Sequence, residues 1–112
     1  MTQQEIFDYC QKKDNAWVDL PFGEIPICFK VGKMIFCEFY PADDNYKMTL
    51  RCEPTLAIAL RQKYNGTVVR GYHCPPVQQP FKNTVYLNGC VSDDELRKMI
   101  DHSYNEAVMR NK

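Results

Sequence analysis

The feature that most constrains the fold is a one-sided apolar stripe near the end of the chain. Ser92 and Glu95 have the spacing of a capping box, which marks the start of a helix. The residues on the inner side of that helix recur at helical spacing and are Leu96, Met99, Ile100, Ser103, Tyr104, Ala107 and Val108. A helix that is apolar on one side has to cover another layer, so this segment predicts a helix packed on a second structural element.

The second layer is predicted to be an antiparallel sheet. Two β-prone runs, 27–31 and 34–39, flank the pair Gly32-Lys33, and a Gly-X pair suits a type II′ hairpin turn. Such a turn places Val31 opposite Met34, and therefore Cys28 opposite Cys37. This thiol pair is either two side chains packed together or a redox-responsive cross-strand bond.

The remaining elements follow from caps and turn residues. Thr2 and Glu5 form a capping box for a first helix, and Pro54 suits the first turn of a second helix that ends at Asn65-Gly66. Further strands are predicted at 46–51, 67–70 and 83–87, and Trp17 is assigned to the core. The chain is therefore predicted to be one α+β domain over residues 1–112, with two layers in the order α-β-β-β-α-β-β-α and an antiparallel sheet covered by helices on one face.

Charge and cysteine content limit the function classes. Fourteen basic residues balance fourteen acidic ones, so no overall positive charge points to nucleic acid, although a local basic face is compatible with neutrality. The sequence contains no apolar run of membrane-spanning length and no signal-peptide pattern, so we expect a cytoplasmic protein with no membrane partner. Its six cysteines form no C-x-x-C pair and its two histidines lie far apart, so we expect reduced thiols and no metal.

Several short motifs along most of the chain occur in the order and approximate spacing of a known protein family. They are Pro21-Phe22-Gly23, Phe29-Lys30-Val31, Lys33-Met34, Gly71-Tyr72-His73, Asn83-Thr84-Val85 and Asp101-His102-Ser103-Tyr104. In these motifs the chain resembles the MmcQ/YjbR-like family. The resemblance implies a two-layer fold similar to secretion chaperones and frataxin-like domains, and a DNA-binding role that is attributed to a winged shape of the sheet. The chain has Lys82 and Arg70 at positions where members of the family often have tryptophan and proline.

The candidate nucleic-acid contacts are basic residues on strands and adjoining turns. They are Lys30, Lys33, Lys47, Arg51, Arg70, His73 and Lys82. Alternate residues of a strand share a face, so Lys47 and Arg51 are expected to point the same way and to contact phosphates together with Tyr46 or Tyr72. The alternative is an ordinary solvated face, because acidic residues lie close to them in the sequence.

No residue pattern predicts catalysis. Asp101 and His102 are neighbours on a helix and do not face one another, so they are not a catalytic dyad. Ser103 has no identifiable base, and its hydroxyl is expected to bond to the backbone of its own helix. We therefore predict a non-enzymatic module without cofactor, metal or identifiable small-molecule substrate. Its partner is either DNA or, if it is a chaperone-like interaction module with no nucleic-acid binding, another protein that uses an exposed apolar patch or an open sheet edge.

Overall fold

The computed structural model describes residues 1–71 and 74–111, apart from the side chain of residue 44. Its helices are α1 (Gln3–Gln11), α2 (Pro54–Lys63) and α3 (Asp93–Arg110). Its strands are β1 (Ala16–Asp19), β2 (Ile27–Val31), β3 (Met34–Tyr40), β4 (Lys47–Arg51), β5 (Val68–Arg70) and β6 (Lys82–Tyr86). The six strands form one antiparallel sheet in the order β1-β2-β3-β4-β6-β5, so the predicted two-layer α+β architecture is confirmed.

The helices begin where their capping residues predict. In α1 the Glu5 amide donates to Thr2 Oγ1 at 3.1 Å, and the Thr2 amide donates to Glu5 Oε1 at 2.8 Å, which completes the capping box. In α3 only half of the box forms: the Glu95 amide donates to Ser92 Oγ at 3.2 Å, while the Glu95 carboxylate lies 3.7 Å from Lys98 Nζ. The Ser92 cap is therefore present, but the Glu95 carboxylate does not take part in it.

The core lies between the sheet and the stripe of α3. Phe29, Phe36 and Phe39 are completely buried, and Ile100 of α3 is buried with them. Ser103 is part of the same buried side, but its role differs from the one predicted. Its hydroxyl donates to the Phe36 carbonyl of β3 and accepts the Arg51 amide of β4 at 2.8 Å, so it joins the helix to two strands and does not bond to its own helix.

A bulge in β3 changes the predicted hairpin register. Val31 does lie opposite Met34, and Gly32 has a φ of +58°, as the first position of the turn requires. The register then shifts between Phe29 and Lys30, because β3 carries one extra residue there. Cys28 consequently faces Glu38, and Phe29 faces Cys37, so the predicted Cys28–Cys37 pair is wrong.

Strand β1 is absent from the predicted order. Residues 16–19 pair with β2, and Trp17 lies opposite Lys30 on the side of the sheet away from the helices. The Trp17 side chain is 45% exposed, so its assignment to the core is wrong. In the described part of the chain no helix is both long and apolar enough to cross a membrane.

Candidate anion-binding site

The face of the sheet that points away from the helix-covered core is polar. Strand alternation turns Glu38 of β3, Thr49 and Arg51 of β4, and Lys82 and Thr84 of β6 to this side, which we call the polar face. The Thr49 and Thr84 hydroxyls are both buried and lie 2.8 Å apart, in hydrogen-bonding contact. The polar face is therefore largely shielded from water even though its side chains are hydrophilic.

Two cations lie directly opposite one another on this face. In the ladder between β4 and β6, Arg51 is the cross-strand partner of Lys82. Like charges in such positions destabilise a sheet. Within the described residues, neither side chain has an acidic group within salt-bridge distance. A pair of like charges with no acidic group in ion-pair contact is an arrangement that suits an anion, although Glu38 lies close enough to act on Arg51.

Arg51 offers most of its hydrogen-bonding capacity to this face. Its Nε donates to the Ile35 carbonyl at 3.0 Å, which fixes the guanidinium plane. The two terminal nitrogens of the guanidinium have no acceptor among the described residues. Every buried side-chain nitrogen in that part of the chain has a hydrogen-bond partner, so these two nitrogens are not buried and are in contact with solvent. Burial and the nearby charge of Arg110 lower the pKa of Arg51, against the opposing effect of Glu38. Arginine nevertheless stays charged at neutral pH.

Lys82 complements this guanidinium with a point charge. The residue is only 8% exposed, yet its ammonium group has no hydrogen-bond or ion-pair partner in the described part of the chain. Its apolar stem is therefore covered while the charged end remains accessible, as long cationic side chains commonly arrange themselves.

The two cations line a cleft with two lobes. One lobe, about 410 Å³, lies between Phe22 and the 74–78 segment, and the other, about 270 Å³, extends to Phe81. Both lobes share Arg51 and Lys82. Two further cations complete the lining, Lys33 in the first lobe and Arg110 in the second. We call the site formed by Lys33, Arg51, Lys82 and Arg110 the basic cleft.

Glu38 is the one carboxylate that lines the basic cleft within the described residues. Cys74 also lines it, and burial raises the pKa of its thiol although Lys82 and Arg51 act in the opposite direction. The thiol is therefore protonated at neutral pH and is a poor nucleophile. The cleft carries a net positive charge and is suited to holding anionic oxygens by charge-assisted hydrogen bonds.

The structure brings together three of the residues proposed from the sequence: Lys33, Arg51 and Lys82. Lys47 shares the polar face with Arg51 as predicted, but it is 1% exposed and its Nζ lies 4.5 Å from the centre of the Tyr40 ring. A side chain enclosed in this way is not available to a phosphate.

Two other proposed contacts lie elsewhere, and one cannot be placed. Lys30 Nζ is 3.2 Å from Asp19 Oδ2 and 4.8 Å from the Trp17 ring centre, so its charge is already paired. Arg70 is exposed on β5 and lines a different cleft of about 310 Å³ beside α2. His73 and Tyr72 lie outside the described residues.

Arg110 was not predicted as part of the site. It is the last residue of α3, and its guanidinium carbon lies 5.2 Å from the ring centre of Phe81, a cation–π distance. Only the packing of α3 across the sheet brings it near Lys82, which is far away in sequence. The one available signal was a basic residue in the last turn of a helix, and that pattern is too common to indicate a site.

The Asp101 and His102 side chains make separate contacts, as predicted from their adjacent helical positions. Asp101 accepts a hydrogen bond from the Tyr9 hydroxyl at 2.7 Å and is ion-paired with Lys13. His102 Nε2 accepts the Glu53 amide at 3.1 Å, at the start of α2. Across residues 1–71 and 74–111, no three or more His, Cys, Asp and Glu side chains are grouped so as to hold a metal ion.

Comparison with known proteins identifies the family. The family model described as YjbR matches residues 11–106. The chain is 28% identical over 108 residues to YjbR of Escherichia coli K12, a protein described as uncharacterised, and the match covers 96% of this chain and 88% of that one.

Two solved structures share the fold. The crystal structure of Deinococcus radiodurans DR2400, which contains a DUF419 domain, superposes with a TM-score of 0.88 at 22% identity and covers 99% of this chain and 81% of that one. A crystal structure of a Pseudomonas syringae protein gives a TM-score of 0.75 at 21% identity, with 96% and 99% of the two chains covered. At such identities the likeness concerns the fold alone.

Proposed function

This chain belongs to the YjbR family, and from that starting point we propose that it is a non-catalytic module that binds the phosphate backbone of nucleic acid, DNA first of all, in the basic cleft. The phosphates lie over Arg51 and Lys82, and Lys33 and Arg110 bind the neighbouring phosphates on either side. Because these contacts go to the backbone, binding depends strongly on salt and weakly on sequence.

One observation carries this proposal: the direct opposition of Arg51 and Lys82 across β4 and β6 without an acidic partner among the described residues. Like charges at directly opposed positions are unfavourable in a sheet, and the charge of Arg110 acts on Arg51 as well. An anion between Arg51 and Lys82 removes the repulsion and accepts hydrogen bonds from both. Arg51 is held in position by its bond to Ile35, so little side-chain freedom is lost on binding.

Aromatic side chains favour a single strand over a duplex. Phe22 lines one lobe of the basic cleft and is 64% exposed, and Phe81 lines the other and is 37% exposed. Unpaired bases stack on exposed aromatic rings with roughly 1–3 kcal/mol per base, whereas the bases of a duplex are already stacked. A strand whose phosphates lie on the cations can place bases against these rings.

The proposal is tested by fluorescence anisotropy with a labelled oligothymidine and a matched duplex. We expect the single strand to bind more tightly, with affinity falling as salt rises at a log–log slope of roughly −3 if four phosphates are contacted. Arg51→Gln and Lys82→Gln should each weaken binding at least about tenfold, because each removes a charge-assisted hydrogen bond of roughly 1.5–3 kcal/mol.

The matched control is Lys12→Gln, which removes the same charge from an exposed residue outside the basic cleft. It should change the affinity less than twofold. An anisotropy that stays flat at low salt, or an equal loss in Lys12→Gln and Lys82→Gln, would contradict the proposal.

A second candidate function, protein interaction, is favoured by the edge of the sheet. Strand β1 is an edge strand, and the segment around it carries large exposed apolar side chains. They are Trp17, Val18, Leu20, Phe22 and Ile25, each at least 38% exposed. An open edge beside apolar side chains is suited to pairing with an extended strand of another protein chain.

The partner strand that we propose for this pairing is β1 of a second copy of the chain. Sedimentation velocity from micromolar to millimolar protein should then show association that Val18→Lys abolishes, because a charge on an edge strand blocks pairing. A monomer throughout that range would argue against this second function and would leave the basic cleft unaffected.

A further inference from the structure

A second cavity lies on the opposite side of the sheet from the basic cleft, between α2 and α3. Its floor includes Leu50, Val68 and Val85 of the sheet, and its walls include Leu60 of α2 and Met99 of α3. Its volume is about 220 Å³. An apolar cavity of about 150 Å³ in another protein stays dry and binds benzene, so this one has room for a ligand of about eight carbon atoms.

The lining of the cavity leaves apolar side-chain surface in contact with solvent. Leu56, which also lines the cavity, is 39% exposed. Removing apolar surface from water is favourable, at roughly 25 cal/mol per Å². The apolar lining and the exposed leucine therefore both favour an apolar ligand.

The rim of the cavity supplies hydrogen-bond donors. Lys98 lines it with a side chain that is 75% exposed, and Glu95, which lines it as well, is ion-paired with Lys98 at 3.7 Å between Oε1 and Nζ. This distance is longer than a hydrogen bond, and a ligand carboxylate at Lys98 competes with Glu95 for the ammonium group. His102 also lines it, and its Nε2 accepts the Glu53 amide. The neutral imidazole therefore carries its proton on Nδ1, which makes a second donor. The spacing of 98 and 102 places both on one side of α3.

We propose that this cavity binds a small aliphatic carboxylate, with its chain between α2 and α3 and its carboxylate at Lys98 and His102. The chain fills the space above Val68 and Val85, and the carboxylate accepts hydrogen bonds from the two donors. Arg51 borders both this cavity and the basic cleft, but the groups that hold the ligand belong to α2, α3 and the helix side of the sheet. The proposal therefore does not depend on the nucleic-acid function proposed above.

Octanoate is the probe, with 1-octanol and octylamine as matched compounds that share its chain. We expect octanoate to raise the melting temperature by about 5 °C at about ten times its Kd, octanol to act more weakly, and octylamine to act least. Lys98→Gln should weaken octanoate binding at least threefold and leave octanol unchanged. Lys12→Gln, which removes a charge outside the cavity, should change neither.

Methionine methyl NMR locates the ligand independently of any variant. Met99 lines the cavity, whereas Met34 lines the basic cleft. Octanoate should shift the Met99 methyl signal and leave that of Met34 in place, and Leu60→Trp, which fills the cavity, should remove the Met99 shift. The proposal is overturned if Met34 moves and Met99 does not, if neither moves at millimolar octanoate, or if octylamine binds as tightly as octanoate.

Discussion

Strand β4 turns Met48 and Leu50 toward the helices and Thr49 and Arg51 away from them. The side chains of Met48, Leu50 and Thr49 are buried. On the helix side the buried surface is aromatic and aliphatic, and α3 packs into it. On the other side it is polar, with a hydroxyl pair and two opposed cations. One sheet therefore has two largely buried faces of opposite chemistry, and the polar one opens to solvent at the basic cleft.

The difference between the two faces separates stability from function. Burial of large apolar side chains on the helix side contributes roughly 1.5–3 kcal/mol each. Burial of charge on the polar face has the opposite sign unless a partner compensates it. We infer that the helix side holds the fold together, whereas the proposed anion site on the polar face comes at a cost in stability.

The substitution with the largest expected effect on stability is on the helix side of the sheet. Ile100 is fully buried in α3, so Ile100→Asp places an unpaired carboxylate in the core and should unfold the domain. Met109, on the same helix, is 64% exposed, and Met109→Asp should cost no more than about 1 kcal/mol. Circular dichroism melts distinguish the two. A melting temperature for Ile100→Asp within a few degrees of wild type would mean that α3 is not the main cover of the sheet.

An intermediate effect is expected from the hydroxyl pair of the polar face. Thr49→Val keeps the side-chain shape but places a methyl group against the Thr84 hydroxyl, so it should lower the free energy of unfolding by about 1–2 kcal/mol. Thr55→Val, on the exposed start of α2, is the matched control; it removes only a solvent-exposed hydrogen bond to Glu53 and should lower the free energy of unfolding by less than about 0.5 kcal/mol. Urea unfolding measures both. Equal costs would show that the polar face is not a water-excluded surface.

A smaller and pH-dependent effect is expected where α1 meets α3. Burial acts to raise the pKa of Asp101, but the hydrogen bonds from Lys13 and Tyr9 outweigh it and lower that pKa from its ordinary value. A lowered pKa contributes stability above the unfolded value, and this contribution is lost as the pH falls through the folded value. Asp101→Asn should therefore lower stability at pH 7 by roughly 0.5–1 kcal/mol, since the pair is partly exposed.

Melting temperatures recorded from pH 7 to pH 2.5 follow this contribution. The gap between wild type and Asp101→Asn should narrow as the pH falls below 3.8, the ordinary aspartate value. Asp14→Asn, at an exposed position, should show no such trend. A gap that stays constant with pH would mean that the Asp101 contacts do not distinguish charged from neutral aspartate.

The smallest effect on stability is expected within the basic cleft, and its sign is informative. Lys82→Met keeps the length of the side chain and removes one of two opposed charges. Relief of the repulsion should make the change neutral or stabilising by about 0.5 kcal/mol. Urea unfolding at low salt checks it. A loss greater than about 1 kcal/mol would mean that Lys82 is a structural residue, and the argument for an anion site would fail.

Most of the helix side follows from local sequence signals. The capping residues and the spacing of Leu96, Met99 and Ile100 predict α3 without knowledge of any partner. The hairpin turn at Gly32 was also predictable, because a local turn fixes the first pairs of a register. The register beyond it was not, since the bulge at Phe36 depends on how the sheet twists under the helices and has no clear local signature.

The basic cleft could be predicted only in part. Alternation along one strand predicts that Lys47 and Arg51 share a face, but it does not show that Tyr40 encloses Lys47. The Arg51–Lys82 opposition arises because β6 pairs with β4, and these strands are separated by a helix and another strand in the chain. Arg110 reaches the site only through tertiary packing. Sequence patterns predict which residues of one strand or helix share a face. A site also needs contacts between residues of elements that are distant in the chain, and the sequence patterns do not predict those.

The most direct test of the central claim is an NMR titration of the ¹⁵N-labelled protein with unlabelled oligothymidine at low salt. We predict that the backbone amide signals that shift belong to residues 33–35, 50–52, 78–82 and 109–111, which border the basic cleft, while those of α1 and β1 stay in place. Shifts concentrated on β1, or none at all at saturating oligonucleotide, would contradict the assignment of the polar face as the functional surface.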